Sequence, residues 1–298
     1  MVDTTLPRHR QAARRSYAVQ RLTDAGEIRE LLAPERAYAA YALAQLEPHF
    51  FPLSEWYTAS GPAGRAVLVH SRSGLGHALF AVGDAEALDA VLSLHPGPRF
   101  TFGSLRPEHR AVVRRYFILS REQVMLRMAV TAERFTPLEG EAVRLRGRDI
   151  VAINRLYSTE GGASHYLARH IDDGVYYGAR VGRRLVSIAG THVVSPSEGL
   201  AVVGNVFTHP EYRGRGLAAV VTTAVSQELL ARCPLVVLTV EADNGPAVRV
   251  YRRLGYAPEC TLHETPMIRR DPLGGLSLAR RLVAAWRGRL EGTEVVVR

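Results

Sequence analysis

Residues 206–218 have the sequence VFTHPEYRGRGLA, in which an apolar strand ends, a short turn follows and two glycines precede a helix. Gly214 and Gly216 allow backbone conformations that a Cβ would forbid, and they let a ligand approach the main chain closely. The first N–H groups of the helix lack intrahelical partners, and the helix dipole adds to their positive potential. With Arg213 and Arg215 on either side of Gly214, the stretch predicts a site for an anion such as pyrophosphate.

This turn differs from better known phosphate-binding patterns. The chain has 38 arginines and no lysine, which excludes a P-loop lysine, a pyridoxal-phosphate Schiff base and a Ser-x-x-Lys acylation centre. The dinucleotide-binding fingerprint is also excluded, because the glycine spacing is wrong and no acidic residue ends a strand about 20 residues later. Taken alone, Arg-Gly-Arg-Gly could simply be a glycine-rich helix start.

The elements that follow the turn narrow the interpretation. They are a helix from about residue 215 to 232, a strand at 235–240, Asp243-Asn244, a helix that contains Tyr251, and Leu254-Gly255-Tyr256. This order, with the Arg-x-x-Gly-x-Ala spacing, resembles the GNAT superfamily of acyl-CoA-dependent N-acyltransferases, and looks closest to its glycine N-acyltransferase-like branch. The match is tight over residues 204–256 and looser over residues 141–270.

The resemblance implies acetyl-CoA as co-substrate and a role for each matching position. The pyrophosphate loop would be formed by Arg213, Gly214, Arg215, Gly216, Leu217 and Ala218. The strand end that pairs with the pantetheine arm and polarises the acyl carbonyl would be Val206, Phe207 and Thr208. Asn244 would contact the cofactor arm, and Tyr251 would be the general acid for the leaving thiolate. Two of these residues have simpler interpretations: Asn244 suits a helix N-cap, and Tyr251 suits the core face of its helix.

The general base stays open, because an acceptor amine must lose a proton and the strand at 200–206 carries no carboxylate. Glu198 precedes this strand, and Glu241 ends the next one on the same face as Thr239. Glu160 and His165, in the loop after a predicted helix at 149–157, are further candidates. A water chain is the remaining alternative.

The pattern of apolar residues predicts an α/β (α+β) fold, with a mixed, mostly antiparallel sheet flanked by helices. We expect a flexible basic arm at 1–20, a smaller α+β domain at 21–135 that resembles a degenerate GNAT copy, a GNAT domain at 141–270, and a basic amphipathic tail at 271–298. In the first half, the sequence predicts a helix at 27–45, a hairpin of strands 66–70 and 78–82, and a strand at 123–130.

The leading functional hypothesis is an N-acetyltransferase, in which a primary amine of a small molecule or amino acid attacks acetyl-CoA directly in a ternary complex. The alternative is a non-catalytic module that binds coenzyme A as a sensor or scaffold. A nucleic-acid-binding function is disfavoured because the net charge of +9 is spread along the chain rather than concentrated. We expect no metal, since Cys233 and Cys260 have no ligand spacing, and no membrane span. A cytoplasmic location and a homodimer are further expectations.

Overall fold

The computed structural model describes residues 16–72, 76–160, 166–291 and 296–297 of the chain. The amino-terminal part contains these elements, in chain order: β1 (Tyr17–Leu22), α1 (Ala25–Leu32), α2 (Ala40–Leu43), β2 (Ser54–Gly61), β3 (Gly64–Ser71), β4 (Ala78–Gly83), α3 (Ala85–Leu94), β5 (Phe100–Leu105), α4 (Arg110–Tyr116), β6 (Phe117–Leu119) and β7 (Gln123–Val130).

The carboxy-terminal part has nearly the same order of elements. They are β8 (Val143–Arg144), α5 (Ile150–Tyr157), α6 (Ala168–Asp173), β9 (Tyr177–Val181), β10 (Arg184–Ser195), β11 (Leu200–Thr208), α7 (Leu217–Leu230), β12 (Leu235–Glu241), α8 (Gly245–Arg253), β13 (Ala257–Arg269), α9 (Gly275–Glu291) and β14 (Val296–Val297). Both parts therefore run strand, two helices, three strands, helix, strand, helix, strand, with the short β6 and the final α9 and β14 as additions.

The described strands join in one sheet, in the order β14–β1–β2–β3–β4–β5–β13–β7–β12–β11–β10–β9–β8, with β6 beside β13. Among these strands, β4 pairs with β5 and β11 with β12 in parallel, and the other pairs are antiparallel. The predicted class, a mixed and mostly antiparallel sheet flanked by helices, is confirmed.

The two parts exchange a strand at the centre of the sheet. Strand β7 from the amino-terminal part pairs with β12 and β13, and β13 from the carboxy-terminal part pairs with β5. Each part is thus completed by a strand from the other, and the sequence boundary near residue 135 does not divide the sheet.

Helices of the amino-terminal part also pack onto strands of the other part. One core cluster contains Ile28, Leu32 and Leu43 of α1 and α2 together with Leu200, Val202 and Val237 of β11 and β12. Helices α7 and α8 cover the opposite face, where Val221, Val225 and Val248 pack with Val236 and Leu238. Helix α2 consequently lies beside the strands that carry the candidate site.

Three expectations about the first half are corrected. Residues 17–20 of the proposed arm belong instead to β1, which starts at Tyr17 and pairs with β2; residues 1–15 lie outside the described ranges. The helix predicted at 27–45 is two helices, since Pro34 lies two residues after the end of α1 and cannot continue an α-helix. Strands β2 and β5 were not predicted at all.

Strand β5 was not predicted because its two phenylalanines lie on the exposed face of the strand. Phe100 and Phe102 are exposed, whereas Thr101 between them is buried. An alternation of buried and exposed residues is present, but both phenylalanines face outward and Leu105 is the one large apolar residue that faces inward, so the usual pattern of apolar residues facing the core fails.

The helix in the predicted tail, α9, packs on α3 through a small buried surface. Ser277 and Ala284 are buried, whereas Leu276, Leu282 and Trp286 are exposed. Within the ranges that the structure describes, no helix has both the length and the apolar character needed to cross a membrane.

Candidate active site

A cleft opens where the parallel strands β11 and β12 diverge. Their pairing runs from Leu200 with Leu235 to Val203 with Leu238 and stops there. The cavity between the diverging ends has a volume of about 1000 Å³. It is lined by most of the residues that the sequence singled out: Val206, Phe207, Thr208, Arg213, Gly214, Gly216, Leu217, Ala218, Glu241, Asn244 and Tyr251.

The predicted anion cradle lies at one end of this cleft. Gly214 and Gly216 both have φ of 76°, a left-handed conformation that favours glycine. A Cβ at either position would meet no atom within 4 Å, so the backbone here is open to a ligand. Gly216 is the N-cap of α7 and supplies no capping side chain, which leaves the first helical N–H groups available to an anion.

The two arginines of the loop contribute less directly than the sequence suggested. Arg213 lies along the cleft but forms an ion pair with Glu160, at 2.7 Å. Arg215 does not line the cavity; it donates a hydrogen bond to the Glu211 carbonyl and lies over the Tyr212 ring. The cradle therefore depends mainly on backbone N–H groups.

Two arginines of α8, which the sequence analysis did not select, also line the cleft. These are Arg249 and Arg253, in the helix that starts after Asn244. They add positive charge to the wall that faces the α7 cradle. An Arg at every fourth position of an amphipathic helix is usual on a surface, so the sequence alone offered no reason to select them.

Strand β11 contains a β-bulge in its pairing with β10, at the level where it separates from β12. Ile188 of β10 pairs with Phe207, but Gly190 pairs with Gly204, so β11 carries one extra residue between them. Asn205 in this bulge has φ of 55°, which is uncommon for a residue other than glycine. Bulges re-aim side chains next to functional sites, and here the bulge turns Asn205 toward a group of tyrosines.

The hydrogen bonds of Asn205 determine which way its amide points. Tyr176 donates its hydroxyl proton to the Thr191 carbonyl, so its oxygen accepts from Asn205 Nδ2, at 3.1 Å. Asn205 Oδ1 therefore faces the other way, where it accepts from Tyr166 (2.6 Å) and from His192 Nε2 (3.1 Å). His192 thus carries its proton on Nε2.

The other ring nitrogen of His192 then has a free lone pair. Tyr41 of α2 donates its hydroxyl to this Nδ1, at 2.6 Å. His192 lines the cleft and is exposed to it, and its close approach depends on Gly204, where a Cβ would come within 2.4 Å of the imidazole. Tyr41 and His192 form a hydrogen-bonded pair that joins the two parts of the chain.

His192 is held in its neutral form. Although one side of the ring is open to the cleft, the protein around it shields the ring from water, and this desolvation lowers its pKa. The positive charge of Arg127 lowers the pKa further, and together they outweigh the opposing hydrogen bond to Asn205. Because the ordinary histidine pKa is about 6.5, a lowered value leaves the imidazole neutral, with Nδ1 ready to accept a proton, at neutral pH.

The positive charge that lowers the pKa of His192 belongs to Arg127, which lies next to the Tyr41 ring. It is fully buried on β7, and none of its three guanidinium nitrogens has a hydrogen-bond partner among the described residues. Its guanidinium carbon lies 5.0 Å from the centre of the Tyr41 ring, within the range of a cation–π interaction. An unpaired buried charge is costly to folding, so its presence points to a role beyond stability.

We expect Arg127→Met to stabilise the fold by about 1–4 kcal/mol, because it replaces a buried guanidinium that has no hydrogen-bond partner among the described residues with an apolar chain of similar length. The pKa of His192 should rise in the same variant, since the nearby positive charge is gone. Urea unfolding and an NMR titration of the His192 ring measure the two effects. Arg252→Met, at an exposed position of α8, is the control. A loss of stability would mean that Arg127 is compensated in the native protein.

Tyr251 lies on the wall of the cleft that α8 provides and is largely buried. Burial raises its pKa to about 12, so the hydroxyl keeps its proton at neutral pH. No group of the described residues hydrogen-bonds this hydroxyl, which leaves it available to a ligand. Tyr251 also packs edge-on against Tyr256, so it serves the core and lines the cleft.

Asn244 and Glu241 lie at the outer end of β12. Asn244 caps α8, since its side chain accepts from the Ala247 N–H at 3.2 Å, and it also lines the cleft. Glu241 is exposed and accepts a hydrogen bond from Gln123 Nε2, at 3.0 Å. Glu241 therefore remains within reach of an acceptor, but on the rim.

Glu198 is corrected as a base candidate. It lies in the turn before β11, at the end of the strand away from the cleft, and is buried in an ion pair with Arg29 at 2.7 Å. Its carboxylate holds α1 against the carboxy-terminal part and cannot reach the cavity. Glu160 is engaged by Arg213, and His165 lies outside the described residues.

Among the residues that the structure describes, no cluster of three or more His, Cys, Asp or Glu is arranged to hold a metal ion. The chemistry that the cleft can perform with its own groups is proton transfer at His192 and hydrogen bonding from Tyr251 and the backbone.

Comparison with known proteins agrees with this geometry. Residues 149–256 match the model of the Acetyltransferase (GNAT) family. This range starts at α5 and ends after α8, so it contains both walls of the cleft, the α7 cradle, His192 and Tyr251.

Several solved structures share the fold. A GCN5-related N-acetyltransferase from Kribbella flavida superposes with a TM-score of 0.55 at 20% identity, covering 77% of this chain and 95% of that one. One from Sphaerobacter thermophilus gives 0.55 at 16% identity, with coverages of 85% and 96%. A Drosophila protein gives 0.60 at 15% identity, with coverages of 86% and 99%. The family match identifies residues 149–256 of this chain as a GNAT acetyltransferase domain.

Proposed function

We propose that this chain is an N-acyltransferase that transfers an acetyl group from acetyl-CoA to the primary amine of a small molecule or amino acid. The observation that carries the proposal is the position of the Tyr41–His192 pair. His192, which accepts the Tyr41 hydroxyl, lines the same cleft as the uncapped start of α7, so a proton acceptor and an anion cradle face one cavity.

The cleft suits coenzyme A in size and charge. A cavity of about 1000 Å³ is large enough for an extended ligand of this size. The backbone N–H groups at Gly214, Gly216 and the first turn of α7 would hold the pyrophosphate, and Arg249 and Arg253 would face its charge. The edge of β11 beyond Val203, which no longer pairs with β12, would pair with the pantetheine arm.

Removal of a proton from the amine is assigned to Tyr41 and His192. The amine nitrogen gives its proton to the Tyr41 oxygen as the Tyr41 hydroxyl proton moves to Nδ1 of His192. One N–H and one O–H bond break, and one O–H and one N–H bond form, so Tyr41 is unchanged and His192 becomes an imidazolium. The Asn205 carboxamide holds the ring through Nε2 and becomes a stronger partner as positive charge develops.

The carbonyl and the leaving thiolate need hydrogen-bond donors as negative charge develops on them. The unpaired backbone of β11 at the bulge offers N–H groups for the oxyanion. Tyr251 offers its hydroxyl to the sulfur. Because its pKa of about 12 lies above that of a thiol, about 8.5, Tyr251 stabilises the thiolate by a hydrogen bond rather than by complete proton transfer.

The amino-terminal part is proposed to be a degenerate copy of the same fold that shapes the acceptor site. It has the same order of elements and the same single parallel pair of strands. Its helix α3 corresponds to α7, but Asp84 caps it by accepting from the Ala87 N–H at 2.9 Å. A carboxylate at this helix start would repel a pyrophosphate, so we expect one acetyl-CoA per chain.

The proposal is tested by measuring free-thiol release from acetyl-CoA with a panel of amines. We expect Tyr251→Phe to lower kcat by about tenfold to 10²-fold, with little change in KM for acetyl-CoA, because the hydroxyl acts on the departing sulfur. Tyr116→Phe, which removes a hydroxyl bonded to Asp89 far from the cleft, is the matched control.

The competing function is a module that binds coenzyme A without acyl transfer. It predicts that acetyl-CoA stabilises the chain against heat while no amine in the panel releases thiol. That combination of results would contradict the proposed acyl transfer, while the assignment of the cleft as a coenzyme A site would still hold.

A further inference from the structure

A second cavity, of about 210 Å³, lies in the amino-terminal part. None of the residues that line it lines the acyl-CoA cleft. It is enclosed by the ends of β2 and β3, the turn after α3, the end of β13 and the start of α9. The GNAT match at residues 149–256 does not include any of these segments.

The walls of this cavity are strongly positive. Three arginines, Arg72, Arg269 and Arg281, line it together with one carboxylate, Glu55. Arg72 and Glu55 are 3.8 Å apart at their closest charged atoms, and both side chains are well exposed, so this pair is weak. No carboxylate of the described residues lies within ion-pair distance of Arg281.

Arg269 is fixed in place without being neutralised. Its Nε donates to the Asp271 carbonyl at 2.7 Å and its Nη2 to the Pro272 carbonyl at 3.2 Å, and Nη1 bonds the Gly97 carbonyl. These neutral carbonyl oxygens orient the guanidinium without cancelling its positive charge. Arg269 therefore places a positive charge at a fixed position in the wall of the cavity.

An aromatic pair forms the remaining wall. The His95 ring stacks on Tyr57 with centroids 4.0 Å apart, and the His70 Nε2 bonds the His95 carbonyl at 2.9 Å. Burial, and then the charge of Arg281, lower the pKa of His95 to about 4. His95 is therefore neutral at pH 7, and the local positive potential comes from the arginines.

We propose that this cavity binds a small phosphate-bearing anion, either free phosphate or a phosphate monoester. Guanidinium groups that converge on a small space suit the bidentate capture of phosphate oxygens. The site differs in kind from the α7 cradle, which relies on backbone N–H groups. Its ligand would join β3, β13 and α9, and so would stabilise the attachment of α9 to the sheet.

The test is calorimetric titration with inorganic phosphate while desulfo-coenzyme A saturates the cleft, so that phosphate cannot bind the α7 cradle. We expect one equivalent to bind, and the double variant Arg72→Ala/Arg281→Ala to bind about tenfold or more weakly. Arg65→Ala/Arg252→Ala removes the same charge at exposed positions outside both cavities and should bind like the parent. In an NMR titration, phosphate should raise the pKa of His95.

Phenyl phosphate distinguishes the two sources of the ligand. Tighter binding than inorganic phosphate favours a monoester, and equal or weaker binding favours free phosphate. Absence of phosphate binding with the cleft occupied, or an unchanged affinity in Arg72→Ala/Arg281→Ala, overturns the proposal. Because no acyl transfer is measured, the result is independent of the proposed enzymatic function.

Discussion

Replacement of Gly216 by glutamate should raise the dissociation constant for acetyl-CoA by about 10²–10³-fold. Gly216 has φ of 76°, and a side chain there must adopt a left-handed conformation that costs about 1–2 kcal/mol. The space around it is open to the cleft, so the new carboxylate would occupy the position of the pyrophosphate and repel it. Calorimetric titration with coenzyme A measures the loss directly.

Gly182→Glu separates the backbone effect from the site effect. Gly182 lies in the turn between β9 and β10, has φ of 58°, and also has open space around its Cβ position. This variant carries a similar strain but should bind coenzyme A as the parent does. If Gly216→Glu retains the parent affinity, the α7 start is not the pyrophosphate site.

Removal of the imidazole in His192→Ala should lower kcat by about 10²–10⁴-fold, the usual contribution of a general base. The KM for acetyl-CoA should change little, because His192 receives the proton of the amine through Tyr41 and is assigned no contact with the cofactor. Added imidazole should restore part of the rate, since His192 is exposed to the cleft and its removal leaves an accessible space. A merely structural histidine would not respond to imidazole.

His49→Ala is the control for this experiment, because His49 is exposed and does not line the cleft. Glu241→Gln tests Glu241, the base candidate from the sequence analysis that lies at the rim of the cleft. Full activity in His192→Ala, combined with a large loss in Glu241→Gln, would transfer the role of base to Glu241.

Much of the fold around the cleft could be predicted because its signals are local. Strand β11 was predicted from its observed first residue, and α7 within two residues of its observed bounds, since an apolar run, two glycines and an uninterrupted helix follow one another. The strand exchange could not be predicted. The sequence of β7 is that of an ordinary strand of the amino-terminal part. Its position between β12 and β13 results from pairing with residues more than a hundred positions away in the sequence.

The residues of the candidate site likewise fall into two groups, those that local sequence patterns could predict and those that they could not. The cradle glycines, Asn244 and Tyr251 lie within one stretch of sequence, where spacing predicts their positions. His192 and Tyr41 meet only because α2 packs across onto the other part, so no spacing could have paired them. The Gly204-Asn205 dipeptide inside a strand was an available signal, because glycine in a strand often marks a bulge, and that bulge is what holds His192.

The exchange of β7 and β13 also sets the order in which the chain can fold. Strands β5 and β7 are synthesised long before β13, the strand that lies between them. Until then both present unpaired edges, which invite association with other chains. Pairing over so long a sequence separation is slow, and large intermediates with open edges aggregate readily. The first part of this protein can therefore complete its sheet only after β13 has left the ribosome, and until then its open strand edges are exposed to other chains.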